Sequence, residues 1–404
     1  MKLWKKIILI FFIALLLVQI PFVFRRIEKG NLAAKISKLA AQRKERANPK
    51  FNEYKGVIHV HSFIGGHSTG TFDELIKGAG EANLDFVVMT EHTSALYDTS
   101  AMTLQGARGG VLFVGGNEAN TKQNERFLIL NGFAEANLSR ESETPDFLEK
   151  AHAANKLAFI TYPENFNSWN ADFDGVEVFS LFTNAKQGNA PFFLLDALWS
   201  FGAYPELTLA DYFKRPDENL KKFDAVTINK KSTLFAGSDA HSNIGFHLFG
   251  DDAGHKFINF KLDRYATIFR LVRTHVLVEK DKPLTQENLL DALKNGRAFV
   301  GFDVLSDTSG FDFTAENERG EQKTMGEEIS LAGEKGVNFT VAAPQAARFV
   351  VLKNGEKFFE ENGNTEINFN ARERGTYRAE VYLDTLGAPF DKAPWIISNP
   401  IYVK

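Results

Sequence analysis

The sequence predicts an α/β body and then an all-β sandwich, both behind an N-terminal transmembrane helix. Three observations predict it. Residues 7–24 are an almost unbroken apolar run; from Lys55 onward short runs rich in Val, Ile, Leu and Phe alternate with helical patterns; past about residue 300 strand-like runs follow one another directly, separated by Asn-Gly dipeptides. At 404 residues the chain exceeds the ~250–300 at which single cores stop growing. The expected division is residues 1–50 as anchor and stalk, 51–299 as the α/β body and 300–404 as the sandwich.

The run IILIFFIALLLVQIPFVF is interrupted only by Gln19 and Pro21. At ~1.5 Å per residue it just spans a ~30 Å hydrocarbon layer. A cleaved signal peptide has a shorter apolar region followed by small residues; here Arg25, Arg26 and Lys29 follow, which predicts an uncleaved single-pass anchor in the cell membrane. Lys2, Lys5 and Lys6 precede the run, so basic residues flank both ends and the positive-inside bias does not choose a side. The soluble part is expected to be extracytoplasmic; a polar, basic helical stalk over 31–50 that touched anionic lipid would favour the opposite.

In the body, strands are expected at 57–60, 86–89, 111–114, 127–130, 157–161, 176–179 and 234–236. Thr71 with Glu74 forms a capping-box signal ahead of a helix over 75–82, and Thr144-Pro145 starts one before 147–154. Apolar strands separated by helices point to a mainly parallel sheet covered on both faces. A helix over 289–294, stopped by Asn295-Gly296, joins the two parts. In the sandwich, strands are expected at 337–341, 349–352, 367–369, 377–382 and 395–403, with hairpin turns at Asn354-Gly355 and Asn362-Gly363.

Composition narrows the function. No cysteine is present, which excludes a disulfide scaffold, a thiolate zinc site, an iron–sulfur cluster and a cysteine nucleophile. A net charge of −4 argues against a nucleic-acid binder. The 38 phenylalanines supply ample apolar surface for a core.

Chemistry-bearing residues gather at predicted strand ends. His59 and His61 close the first strand, and strict alternation puts both rings on one face; Glu91-His92 closes the second, Glu118 follows the third, and Asp239 and His241 close a late one. In parallel α/β folds these ends share a rim where sites are built. Imidazole and carboxylate are ligands for zinc, manganese and iron. A lone His-x-His fits an exposed strand edge as well as a ligand pair, but the ordered set is far more specific.

The run IHVHSFIGGHSTGTFDELIKGAGEANLDFVVMTEHT at 58–93 resembles the opening of the polymerase and histidinol phosphatase (PHP) superfamily: His-x-His, a helix, then a strand ending in Thr90-Glu91-His92. Gly116-Asn117-Glu118 resembles its second motif and residues 237–241, GSDAH, its last. LLDALKNGRAFVG and the final WIISNPIYV resemble the carbaryl-hydrolase-like (CehA/McbA) branch. The resemblance implies a distorted seven-stranded (β/α) barrel holding up to three divalent ions, zinc, manganese or iron, with an immunoglobulin-like sandwich behind it. It implies His59, His61, Glu118 and Asp239 around one ion and His67, His92 and His241 around another.

Two departures stand out. Tyr162-Pro163 occupies the place of a common His-Pro, and Arg126 the place of a frequent histidine, so two ions are expected with the third in doubt. Arg126 is read either as a fixed positive charge replacing that ion or as a solvated strand-start residue. Glu91 is read as a proton acceptor or as a carboxylate organising hydrogen bonds. Tyr162, Asn165 and His247 are expected at the substrate pocket. The expected activity is metal-dependent hydrolysis of a phosphoester, or of an ester or carbamate, in a small-molecule substrate with no nucleic-acid partner; the alternative is a membrane-tethered binding protein with a degraded metal site.

Overall fold

A computed structural model describes residues 2–44, 46–186, 190–250 and 256–404, with the side chains of 182, 185–190 and 246–260 outside that description. The fold is mixed α/β. Among the described residues, twenty strands are hydrogen-bonded into one large sheet and two more form a separate hairpin.

Phe51–Val60 carries the opening motif. It pairs in parallel with Phe86–Met89, which pairs in parallel with Val111–Val114. Single-residue breaks at Thr90 and Gly115 lead both into Glu91–His92 and Gly116–Asn120, which pair again. Arg126–Leu130, Leu157–Thr161, Gly175–Ser180 and Thr233–Ala240 then follow in turn, each paired with the one before, and the last pairs back onto Phe51–Val60. These strands are buried nearly end to end, which is why they read as continuous apolar runs rather than alternating ones.

Local signals act as expected at several points. Thr71 caps the helix Phe72–Glu81: its hydroxyl accepts from the Glu74 N–H, while the Glu74 carboxylate accepts from the Thr71 N–H. The helix Gln286–Lys294 ends at Asn295, followed by Gly296 at φ +68°. Asn354 and Gly355, both at positive φ, turn the hairpin between Val337–Lys353 and Glu356–Ala371. Asn362-Gly363 does not turn the chain. It lies inside the long strand Glu356–Ala371, opposite a register shift near Ala347, so the glycine serves a bulge.

The C-terminal strands are not detached from the rest. Ala298–Gly301 pairs with both Arg273–Glu279 and Ile396–Ser398, which makes the sheet continuous. Asn399 reinforces the joint, accepting from the Leu234 N–H and donating to the Leu234 and Ala298 carbonyls.

A helix of 39 residues, Leu3–Ala41, opens the chain; it is long and apolar enough to cross a membrane, a property shared by anchors and signal sequences. Its second half, which runs into the expected stalk region 31–50, packs on the body. Phe22 and Leu32 are buried, and Ala33, Ile36 and Leu39 pack on the core, so an apolar stripe at helical spacing holds it to the body. Its basic residues pair with protein acids: Arg25 and Lys29 with Asp196 and Asp211 at 2.7–3.0 Å.

Candidate metal centre

A buried carboxylate or imidazolium is costly unless partners or a cation surround it. The end of the strand circuit concentrates both. His59 and His61 are fully buried and nearly so are Glu118 and Asp239. His59 Nε2 stands 3.5 Å from Glu118 Oε2 and 3.4 Å from Asp239 Oδ1; His61 Nε2 stands 3.4 Å from each. His92 Nδ1 approaches the same Glu118 oxygen at 3.1 Å. The His61 ring is stacked between His92 and His241, with centroids at 4.5 and 4.2 Å.

Backbone distortion aims these groups. His59 has φ 69°, where the register shifts between Ile58 and Val60, so a bulge rather than plain alternation sets the two rings 5.1 Å apart. Asp239 at φ 45° and Tyr162 at φ 50° are likewise left-handed. Non-glycine residues held there cost of order 1–3 kcal/mol each and gather at functional sites.

Behind the cluster, Glu177 accepts from the His59 Nδ1–H at 2.7 Å, which leaves Nε2 as a lone-pair donor facing inward. Its other oxygen accepts from the Thr161 hydroxyl. The carboxylate lies across Gly237, where a Cβ would stand 1.4 Å from Oε1. That is the physical reason for glycine at the head of the GSDAH motif.

Whether these residues fit a metal is tested by their unsatisfied atoms. His59 Nε2, both ring nitrogens of His61, Glu118 Oε2 and Asp239 Oδ1 are buried without a hydrogen-bond partner. Buried polar atoms are satisfied in more than ~90% of cases, so five orphans in one cluster fit a site that can hold a cation. Donors held at ~2.0–2.2 Å from one ion stand a few ångström apart, as these do. Two overlapping donor sets result: His59, His61 and Glu118, and His61, His92 and His241.

Electrostatics agree with the donor roles of His61, His92, Glu118 and Asp239. Burial pulls the His61 and His92 imidazoles down, to about 4 and about 3, keeping both neutral near pH 7. Burial opposes the charge on Glu118, yet the histidines around it, His59 foremost, hold it down to about 2. Asp239 is held well below the carboxylate range against the same burial by His59 and His61. His59 differs: burial lowers it, but Glu177 and Asp239 outweigh that and raise the imidazole well above its usual value, so a cation binding at Nε2 must displace a proton there. Burial and then Asp239 push the Tyr162 phenol far up, so it stays protonated and donates to Asp239 Oδ2 at 2.7 Å.

Arg126 turns inward and donates to Glu118 Oε1 at 3.0 Å while its guanidinium lies 4.9 Å from the Tyr162 ring centre. His67 is exposed on the rim, edge-on to His92 at 4.9 Å, outside both tight donor sets. Asn165 is an exposed residue of the pocket wall. The side chain of His247 lies outside the described residues. Glu91 does not face the pocket. Its fully buried carboxylate accepts from the Ser62 N–H, the Ser62 hydroxyl and the Thr103 hydroxyl, which makes it the anchor of the loop after His61 rather than a proton acceptor at the centre.

The centre opens into a cavity of about 1340 Å³. Part of its wall was invisible in the sequence: Phe193, Leu194, Leu209, Tyr212 and Phe213 come from helices Ala190–Ser200 and Pro205–Ala210 and the loop after them, a stretch without a motif.

No known family model and no curated protein matches the chain. Among solved structures, the crystal structure of PsfC from Pseudomonas syringae PB-5123 is similar at 13% identity, covering 63% of this chain and 94% of that one with a TM-score of 0.35, a likeness too loose to build on.

Proposed function

We propose that the chain is a membrane-anchored, metal-dependent hydrolase of the PHP type that cleaves a phosphoester bond. The single observation that carries it is the convergence of orphaned imidazole and carboxylate atoms from His59, His61, Glu118 and Asp239 at 3.4–3.5 Å. The motif order read in the sequence and the circuit of strand pairings returning to Phe51–Val60 support a seven-stranded barrel of that superfamily. The pairings among 312–403 support a sandwich behind it.

In this reading His59, His61, Glu118 and Asp239 hold one divalent ion, and His92 and His241 serve a second with His61 beside them. When bound, such ions lower the pKa of water from ~15.7 toward ~7 and polarise the scissile oxygen. The chain's own residues do the rest. Glu177 fixes the His59 tautomer, and Tyr162 holds Asp239 in place through its hydroxyl. Arg126 and Arg140 on the cavity wall offer a planar, permanent charge to a phosphoryl oxygen.

The inward-turned Arg126 and the Tyr162–Asp239 bond also favour a second reading, a binding protein whose third ion has been replaced by side chains. Elemental analysis of the purified chain, followed by turnover of phosphate, ester and carbamate substrates with manganese, zinc and iron, separates the two. The hydrolase reading expects bound metal and metal-dependent turnover. A folded protein that binds metal and stays inert on every substrate sinks it.

A further inference from the structure

The cavity joins two unlike ends. One set of lining residues is Glu118, Asp239 and His241 with Arg126 and Arg140; the other, here called its apolar end, is Phe193, Leu194, Leu209 and Phe213 from the helices Ala190–Ser200 and Pro205–Ala210 and the loop after them. At about 1340 Å³ it exceeds the ~300–1,000 Å³ usual for small ligands.

The apolar end is built on the helix Ala190–Ser200, APFFLLDALWS, whose one charged residue, Asp196, is buried against the N-terminal helix. Its outward side carries Leu194 and Leu198, 60% and 75% exposed. This helix meets the N-terminal helix where the apolar run ends. Trp199 Nε1 donates to Gln19 at 2.8 Å, Phe192 packs on Phe22 with ring centres 5.1 Å apart, and Arg25 and Lys29 bond Asp196. If residues 7–24 span a bilayer, Ala190–Ser200 lies at the boundary between headgroups and acyl chains, the depth at which Trp and basic residues flank a span. The same ion pairs tie Asp211, beside Tyr212 and Phe213 of the cavity wall, to Arg25 and Lys29. The anchor therefore holds the apolar end of the cavity at the membrane.

We propose that the substrate is a phosphorylated lipid drawn directly from the bilayer. Leu194 and Leu198 dip into the boundary, the tail lies along Phe193, Leu194, Leu209 and Phe213, and the phosphate faces Arg126, Arg140 and the metal centre. This rests on the hydrolase reading. In the reaction, the oxygen of water bonds to phosphorus, the P–O bond to the lipid alcohol breaks, and a water proton passes to the departing oxygen, which yields free phosphate and a neutral lipid alcohol.

The test uses the full chain in nanodiscs with manganese, comparing oleoyl lysophosphatidate in the bilayer with glycerol 3-phosphate in solution. These share a head group and differ in the tail. The lipid should be turned over with kcat/KM at least a hundredfold higher, and Leu198→Asp should lower the lipid-to-headgroup ratio at least tenfold while Leu198→Met keeps it. Equal rates on both substrates overturn the lipid inference and leave the hydrolase standing. If neither is hydrolysed although metal is bound, cleavage of this lipid monoester is overturned while the wider substrate screen decides the hydrolase reading, and a diazirine-tailed phosphonate analogue reads the cavity without turnover. Crosslinks to the peptide holding Phe193 and Leu194 then support the lipid site; crosslinks confined to residues 3–41 overturn it.

Discussion

Replacing Glu177 by glutamine separates the charge behind the metal centre from the shape that carries it. The carboxylate is fully buried, with Oε1 2.7 Å from His59 Nδ1 and Oε2 on the Thr161 hydroxyl. Glutamine keeps the volume and one acceptor oxygen for the His59 N–H, so the packing over Gly237 survives and only the negative charge is lost. A carboxylate in this position makes the opposite ring nitrogen a stronger donor, and loss of such a partner typically weakens metal affinity about 10–100-fold. At 1.36 kcal/mol per decade that is about 1.4–2.7 kcal/mol. Competition with a chromogenic chelator, on full-length protein in detergent, reads the affinity. Gly237→Ala provides the steric counterpart: its Cβ would stand 1.4 Å from Glu177 Oε1, so Glu177 must move and affinity should fall further. A Glu177→Gln protein that binds manganese or zinc within twofold of the parent would refute the assignment of Glu177 as the group that orients and charges His59.

Arg126→His should raise the metal-to-protein ratio and lower turnover by about ten- to a hundredfold, because it exchanges a fixed charge on Glu118 for a ligand; higher metal content with unimpaired turnover contradicts that role. His275 is fully buried between Glu53 and Asp303, and although burial lowers its affinity for a proton, Asp303 and then Glu53 raise it to about 9. Its folded value is thus above its unfolded ~6.5, so its contribution, on the order of 3 kcal/mol, is complete below pH ~6.5 and is lost as pH rises through about 9. Urea midpoints at pH 6, 7.5 and 9.5 should show that loss in the parent and not in His275→Gln; an identical loss in both would count against it. Asp224→Ala strips the two-point bond to the buried Arg378, at 2.6 and 2.7 Å, and leaves Glu380 as its remaining acid. A destabilisation of about 3 kcal/mol by denaturant titration is expected, and a change under 1 kcal/mol would mean the pair contributes little.

Much of the site was legible because its ligands come in short local motifs at strand ends. His59, His61, Glu118, Asp239 and His241 needed only strand position and side-chain chemistry to be grouped. Glu91 and Glu177 show where that reasoning stops. Both are buried acids of the strand circuit, Glu91 opening a short strand and Glu177 inside one, yet one is turned toward Ser62 and Thr103 and the other toward His59. Which way a carboxylate turns depends on neighbours from distant segments, here a glycine at 237 that leaves room for Glu177. Asn362-Gly363 misled for a similar reason: the dipeptide permits positive φ in a turn and in a bulge alike, and only the register opposite Ala347 selects the bulge.

The sequence by itself determined the apolar helix, the alternation of strands and helices, the capping box at Thr71 and the inventory of possible ligands, because each depends on residues within a few positions of one another. Tertiary structure decided what those pieces share. It placed His61 between His92 and His241, turned Arg126 onto Glu118, and set the motif-free helix Ala190–Ser200 against the N-terminal helix through Asp196. Those contacts join residues as far apart as His61 and His241, and no local pattern encodes a partner that far along the chain.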